Sequence, residues 1–250
     1  MRTSDSAPAA HERLPGAAVS LFCAVALQKA AEEAILPAFT RATGVFVDVV
    51  FEPTNLLVQR IKAGALPAIF VGITGSLQEF AFTDIFDLPS CKPVAKAGIG
   101  LAVPPNASSP DIGSVDGLIS ALTTARSVAY SRNGPSGIYF ARLLQELGIA
   151  EQVNSRSTII AQGPTAFALM DGRSDLAIQQ MSELMLVPEA KIIGPLPHPV
   201  QHYTEFSAAA SRKAAQDPAT SALFGFLSGP LARSAYTSGG LKPSTTVTST

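Results

Sequence analysis

Three short stretches of this chain gather polar side chains directly after apolar, strand-like runs. In Ile178-Gln179-Gln180-Met181-Ser182-Glu183, two carboxamides, a hydroxyl and a carboxylate leave the run that begins at Leu176. A buried amide without a partner costs about 1–3 kcal/mol, so Gln179 and Gln180 require either a ligand or local backbone to satisfy them. In Glu52-Pro53-Thr54-Asn55, a carboxylate, a hydroxyl and a carboxamide leave the β-branched run 45–51. Thr54 and Asn55 suit ligand binding, or capping of the helix that follows, because both types satisfy the free N–H groups of a helix start. Glu183 and Glu52 are the carboxylates able to take a proton from a bound molecule and return it, and each also reads as a surface carboxylate. In the third stretch, Arg132 to Gly137, the backbone N–H groups around Gly134, Ser136 and Gly137 could cradle a carboxylate or serve only as a helix cap. Arg132 offers a planar guanidinium that matches two carboxylate oxygens, the alternative being a solvated loop arginine. His198 and His202, in PHPVQHY, invite an acid–base reading but have no partner set by spacing.

Other chemistries lack their residues. GPSG at 134–137 has no following Lys-Ser/Thr, so it is not a phosphate loop, and neither a GxSxG elbow nor an HExxH pair occurs. Cys23 and Cys91 stand alone, so no metal site is expected, nor any cofactor. Lys and Arg total 18 against 19 Asp and Glu, without a basic stripe, which excludes a nucleic-acid partner. The apolar run 19–27 meets Lys29, Glu32 and Glu33 at once and is too short to span a bilayer, so no membrane insertion is expected. Residues 1–18 carry no apolar core of signal-peptide type; the sequence as written is expected in the cytoplasm, or in the periplasm if the native N-terminus has been replaced.

The elements that must position these residues alternate. Residues 19–25 read as a strand, 27–43 as a helix closed by Gly44, and 45–51 as a second strand, a βαβ unit. Helix 56–63, strand 68–73, a short helix 76–82 and strand 96–103 follow, the last placed to cross between lobes. The second half repeats the grammar: helix 114–124, strand 127–130, helix 138–147, strand 157–160, helix 164–171, strand 176–179 and strand 191–193. Strand 203–210 reads as a return and 218–227 as a helix, with 241–250 a polar tail. Such alternation predicts an α/β protein with mostly parallel sheets and helices on both faces, and ligands at the strand ends. At 250 residues, two modest lobes are allowed.

The order of motifs resembles the molybdate-binding proteins of ABC importers and their type II periplasmic solute-binding relatives. Its carriers are LFCAVALQKAAEEAILPAFTRATGV, LLVQRIKAG, GPSGIYFARLLQELGI and FLSGPLARSAYTSGGLKP, spread over roughly 18–243. The resemblance implies two lobes joined by crossing strands, about 18–95 with 201–243 and 96–200, closing by a hinge on a ligand, with 1–17 and 244–250 as flexible tails. It also implies an oxyanion site at Ala26, Thr54, Ser136, Gly163 and Gln180. Two of these depart from the family, whose serine after the first strand is Ala26 here and whose late tyrosine is Gln180. The Ala-Pro-Ala-Asp before the third strand is replaced by Ala65-Leu66-Pro67-Ala68. Loss of hydroxyls points away from molybdate and towards a larger organic anion with donors of its own. The expectation is therefore a solute-binding protein for a small carboxylate anion, partnered by an ABC permease if exported. The segment from Ile178 to Pro197 is also similar to a branch that includes enzymes resembling aconitate isomerase, and the alternative is a cofactor-independent isomerase of an unsaturated carboxylic acid.

Overall fold

A computed structural model describes residues 18–244. The strands are β1 (Val19–Ala24), β2 (Val47–Glu52), β3 (Ile69–Ile73), β4 (Lys92–Val103), β5 (Val128–Tyr130), β6 (Thr158–Ile159), β7 (Leu176–Gln180), β8 (Lys191–Pro195), β9 (Tyr203–Ala210) and β10 (Lys242–Pro243). They form one mixed sheet in the order β2-β1-β3-β9-β4-β7-β5-β6, with β8 and β10 also paired to β4. Strands separated by helices run parallel, β1 with β2 and β3, and β5 with β6 and β7. The long strands that carry the chain across, β4 and β9, run antiparallel to their neighbours. This is the type II periplasmic-binding fold.

β4 belongs to both halves of the sheet. Its first part pairs with β9 and β10, its second with β7 and β8, and the changeover falls between Gly98, opposite Tyr203, and Ile99, opposite Gln180. At that step the side chain of Gln201 replaces a strand: its Oε1 accepts from Ile99 N at 2.9 Å and its Nε2 donates to Ile99 O at 2.8 Å. The backbone polar groups of Ile99 thus stay satisfied where the sheet changes partners.

Each half has its own core on both sheet faces. In the first, Leu21, Phe39, Val71 and Tyr236 fill one face, while Phe70, Phe80 and Phe86 meet on the other with ring centroids 5.3–6.3 Å apart. In the second, Leu101, Tyr130, Phe140 and Leu143 lie under one face and Ala102, Ala129, Leu169 and Ala177 under the other. The alternation of β1, with Leu21 and Cys23 to one core and Phe22 to the other, is what a strand covered on both sides requires.

Most expected elements occur within a few residues of their predicted ends, and Gly44 closes its helix in the left-handed conformation at φ 72°. Three differences matter. The first long helix, from Gln28 to Thr43, contains a π turn at Ala31–Ile35, and the segment expected as helix 76–82 is 3-10 from Thr74 to Phe80. The helix Pro230–Ser238, which opens with Gly229 as its N-cap and Pro230 in its first turn, is not among the elements expected from the sequence. The expected tail also begins too early: β10 pairs with β4, Ser244 N donates to Val94 O at 3.0 Å, and Arg233 Nη1 donates to Ser244 O at 2.6 Å. The remainder of the two predicted tails, 1–17 and 245–250, lies outside the described residues.

Candidate functional site

The parallel strands of both halves end in turns that carry nearly all the candidate residues. In the first half, Ala26 lies in the 3-10 turn Val25–Leu27 after β1, buried, with only a methyl to offer. Thr54 begins the helix Thr54–Lys62, whose N-cap is Pro53, so Thr54 is not the cap. Its hydroxyl accepts from Ile73 N at 3.3 Å, tying the exits of β2 and β3 together and leaving its own proton to donate. Asn55 beside it is exposed.

In the second half, Gly134 caps the helix Pro135–Glu146 and Ser136 and Gly137 are buried in its first turn. Gly137 has a steric reason to be glycine: a Cβ there would stand 1.3 Å from the carbonyl oxygen of Ser131. The helix start is thus pressed onto the exit of β5, its N–H groups fixed beside the loop. Arg132 is exposed and forms no ion pair or hydrogen bond among the described residues. Gly163, at φ 83°, turns the chain after β6 towards Pro164 and Thr165.

The short helix Met181–Leu184 brings the halves together, since it packs on β4 and on the turn Val25–Leu27. Ser182 lies within this contact, and a Cβ on Gly240, in the C-terminal stretch of the first half, would meet Ser182 N at 3.3 Å. Gln180 Oε1 and Ser182 Oγ are buried and have no hydrogen-bond partner among the described residues. Gln179 differs from its neighbour: its Oε1 accepts from Thr165 N at 2.7 Å and from Thr165 Oγ1 at 3.0 Å. Local structure therefore satisfies Gln179, and Gln180 keeps the unmet demand.

Glu183 is half-buried, and loss of water pushes its carboxyl up to about 7; a hydrogen bond from Gln179 opposes this in part. A carboxyl held there is divided between its two forms at neutral pH. Glu52 has the opposite fate. Arg60 grips it with Nε at 2.7 Å and Nη2 at 2.5 Å, and this hydrogen-bonded pairing holds its carboxyl below the usual range. Its carboxylate is the anionic half of an ion pair with Arg60. His198 and His202 are exposed, and His202 stacks on Tyr139 with ring centroids 4.6 Å apart rather than meeting an acid.

A cavity of about 360 Å³ opens between the halves, bounded by Val25, Gln28 and Lys29 on one side and by Pro164, Met185 and Leu186 on the other. Its walls are chain neighbours of Ala26, Thr165 and Glu183, and its size falls in the range of small-molecule sites. Among the described residues no group of three or more His, Cys, Asp and Glu side chains could hold a metal ion, and no helix is long and apolar enough to cross a membrane. Thr165 is the residue the sequence reading passed over. It follows Gly163-Pro164 and looks like a helix cap, and only the fold shows that it faces Gln179.

Residues 19–242 match the family described as bacterial extracellular solute-binding protein. An aconitate isomerase of Pseudomonas sp. is 31% identical over 215 residues, which cover 84% of this chain and 82% of that one. Among solved structures, the periplasmic molybdate-binding protein of Azotobacter vinelandii is 17% identical with a TM-score of 0.71, the match covering 89% of this chain and 98% of that one. Peb3 of Campylobacter jejuni is 16% identical with a TM-score of 0.66, covering 90% and 99%. At those identities the two structures establish the shared fold alone.

Proposed function

The chain belongs to the bacterial extracellular solute-binding protein family, and from that premise we propose that its interlobe site takes a small unsaturated polycarboxylate and that Glu183 moves a proton on it. The observation that carries this reading is Glu183 itself, set beside the contact between the halves with its carboxyl raised to about 7 by burial. General acid–base catalysis is most effective when the group titrates near the working pH. The similarity to an aconitate isomerase supports the same choice of chemistry.

The reaction balances without a cofactor. Ionised Glu183 takes a proton from the carbon next to the double bond, the electron pair spreads over the three-carbon unit and its carboxylates, and protonated Glu183 returns a proton at the far end. The double bond moves and nothing is oxidised or reduced. In this reading Arg132 and the N–H groups at the start of Pro135–Glu146 would hold carboxylate charge as it grows. Gln180 Oε1 and Ser182 Oγ, both without a hydrogen-bond partner among the described residues, would meet donors on the ligand such as a hydroxyl, a protonated carboxyl or a bound water. An anion with its own donors suits this lining better than molybdate does.

The test is solvent exchange. Incubated with cis- or trans-aconitate in D2O, the protein should transfer deuterium to the ligand's carbon; Glu183→Gln should abolish this while binding survives, and Glu52→Gln should not. The family and its fold favour a second reading, a binding protein that delivers a carboxylate to an ABC permease. Tight binding across unsaturated di- and tricarboxylates with neither exchange nor isomerisation would establish that reading and defeat the first.

A further inference from the structure

We propose that Gln179 is a positioning residue for Glu183, with Thr165 locking its carboxamide so that the NH2 group faces the Glu183 carboxyl. The inference rests on the reading of Glu183 as the proton-moving group and adds residues that hold it in place. Which end of an amide is oxygen is normally assigned from its network. Here the backbone settles it: Thr165 N–H can only donate, so the Gln179 atom 2.7 Å from it must be the oxygen. The Thr165 hydroxyl, 3.0 Å from the same oxygen, adds a second donor. With Oε1 taken by Thr165, Nε2 is the group left to donate to Glu183, to which Gln179 is hydrogen-bonded.

Each member of the series is anchored. Thr165 is fully buried behind the Gly163 turn, and Gln179 lies in β7, paired with Gly100 of β4. Gly100 itself leaves the room that Met181 fills, since a Cβ there would stand 2.0 Å from the Met181 sulfur. The helix that carries Glu183 is therefore seated by the same pair of strands that carries Gln179. Across the neighbouring cavity the charged groups are Lys29, Glu32 and Glu33, and Lys29 is already paired with Glu33 at 2.6 Å.

Gln179 then has two effects. It restrains the carboxyl in one orientation, and as a neutral donor it favours the ionised form, drawing the Glu183 titration back down against the effect of burial. A glutamate at 179 would do neither, because its carboxylate could not donate to Glu183 and would repel it.

The measurement is the titration of Glu183 by carboxyl 13C NMR on protein with 13C-labelled glutamate, the signal being assigned by its loss in Glu183→Gln. In Gln179→Leu the midpoint should move up. In Thr165→Val, which keeps the backbone donor and the volume, it should move the same way by less. With aconitate as the probe, the rising limb of the rate profile should follow the NMR midpoint, and kcat should fall by about ten- to a hundredfold with KM little changed. If neither variant moves the Glu183 midpoint, the inference is overturned. If the midpoints move as expected but the parent protein neither exchanges nor isomerises any unsaturated acid, Gln179 still positions Glu183 and the isomerase reading is what fails.

Discussion

Replacing Glu183 with Gln should stabilise the protein at alkaline pH and leave it nearly unchanged in mild acid. A glutamate carboxyl ordinarily titrates at 4.5, whereas that of Glu183 in the folded chain does so at about 7. Between those values the folded state binds more protons than the unfolded one, so the group's contribution to stability is fully favourable only below 4.5 and is lost as pH rises through about 7. At about 1.4 kcal/mol per pH unit the interval sets a ceiling of about 3 kcal/mol, and the half-buried position lowers the expectation to about 2 kcal/mol. Gln keeps the shape and cannot ionise, so the variant escapes this cost. For a chain of this size about 2 kcal/mol corresponds to a Tm gain of roughly 4–8 °C. Urea denaturation of parent and variant at pH 5 and pH 8.5 gives the answer directly, because any packing change caused by the substitution is common to both. An equal stability difference at the two pH values would refute the claim that burial holds a titrating carboxyl here, and the choice of base with it.

Gly137→Ala should destabilise the fold by about 3 kcal/mol or more, since the added carbon meets the Ser131 carbonyl rather than a side chain able to yield; denaturant midpoints and calorimetry should report lost stability together with weaker anion binding. Arg132→Ala, at an exposed position, should leave Tm within about 1 °C and weaken carboxylate binding about tenfold or more, and unchanged binding would show that the guanidinium does not reach the ligand. Titration with molybdate should give weak heats or none, because Ala26 supplies no hydroxyl and Gln180 presents a buried acceptor; micromolar affinity would overturn that reading of the site.

The two glutamates mark the limit of what was legible. Glu52 and Glu183 look alike in sequence, each following an apolar run. Arg60 lies one helical turn and a half beyond Thr54, a distance that local patterning does not single out, yet it captures Glu52. Gln179 and Gln180 were likewise equivalent as a dipeptide. Their side chains leave opposite faces of β7, so one meets Thr165 and the other does not. Thr165 itself was hidden because its partner lies fourteen residues away, beyond the short helix Phe167–Met170. The late helix Pro230–Ser238 escaped because Gly and Pro at its start mimic a loop, although Pro is well accommodated in a first helical turn.

By itself the sequence determined the α/β alternation, the crossing role of strand β4, the return strand β9, the left-handed stop at Gly44 and the strand-end turns that carry the polar residues. These follow from periodicity and turn chemistry, which act over a few residues. Only the tertiary structure decided which carboxylate lost its water and which gained an arginine, and which amide was satisfied. Desolvation and partnering are set by what other parts of the chain bring within a few ångströms, and the first and second halves of this protein meet at Val25–Leu27 and Met181–Leu184, more than 150 residues apart.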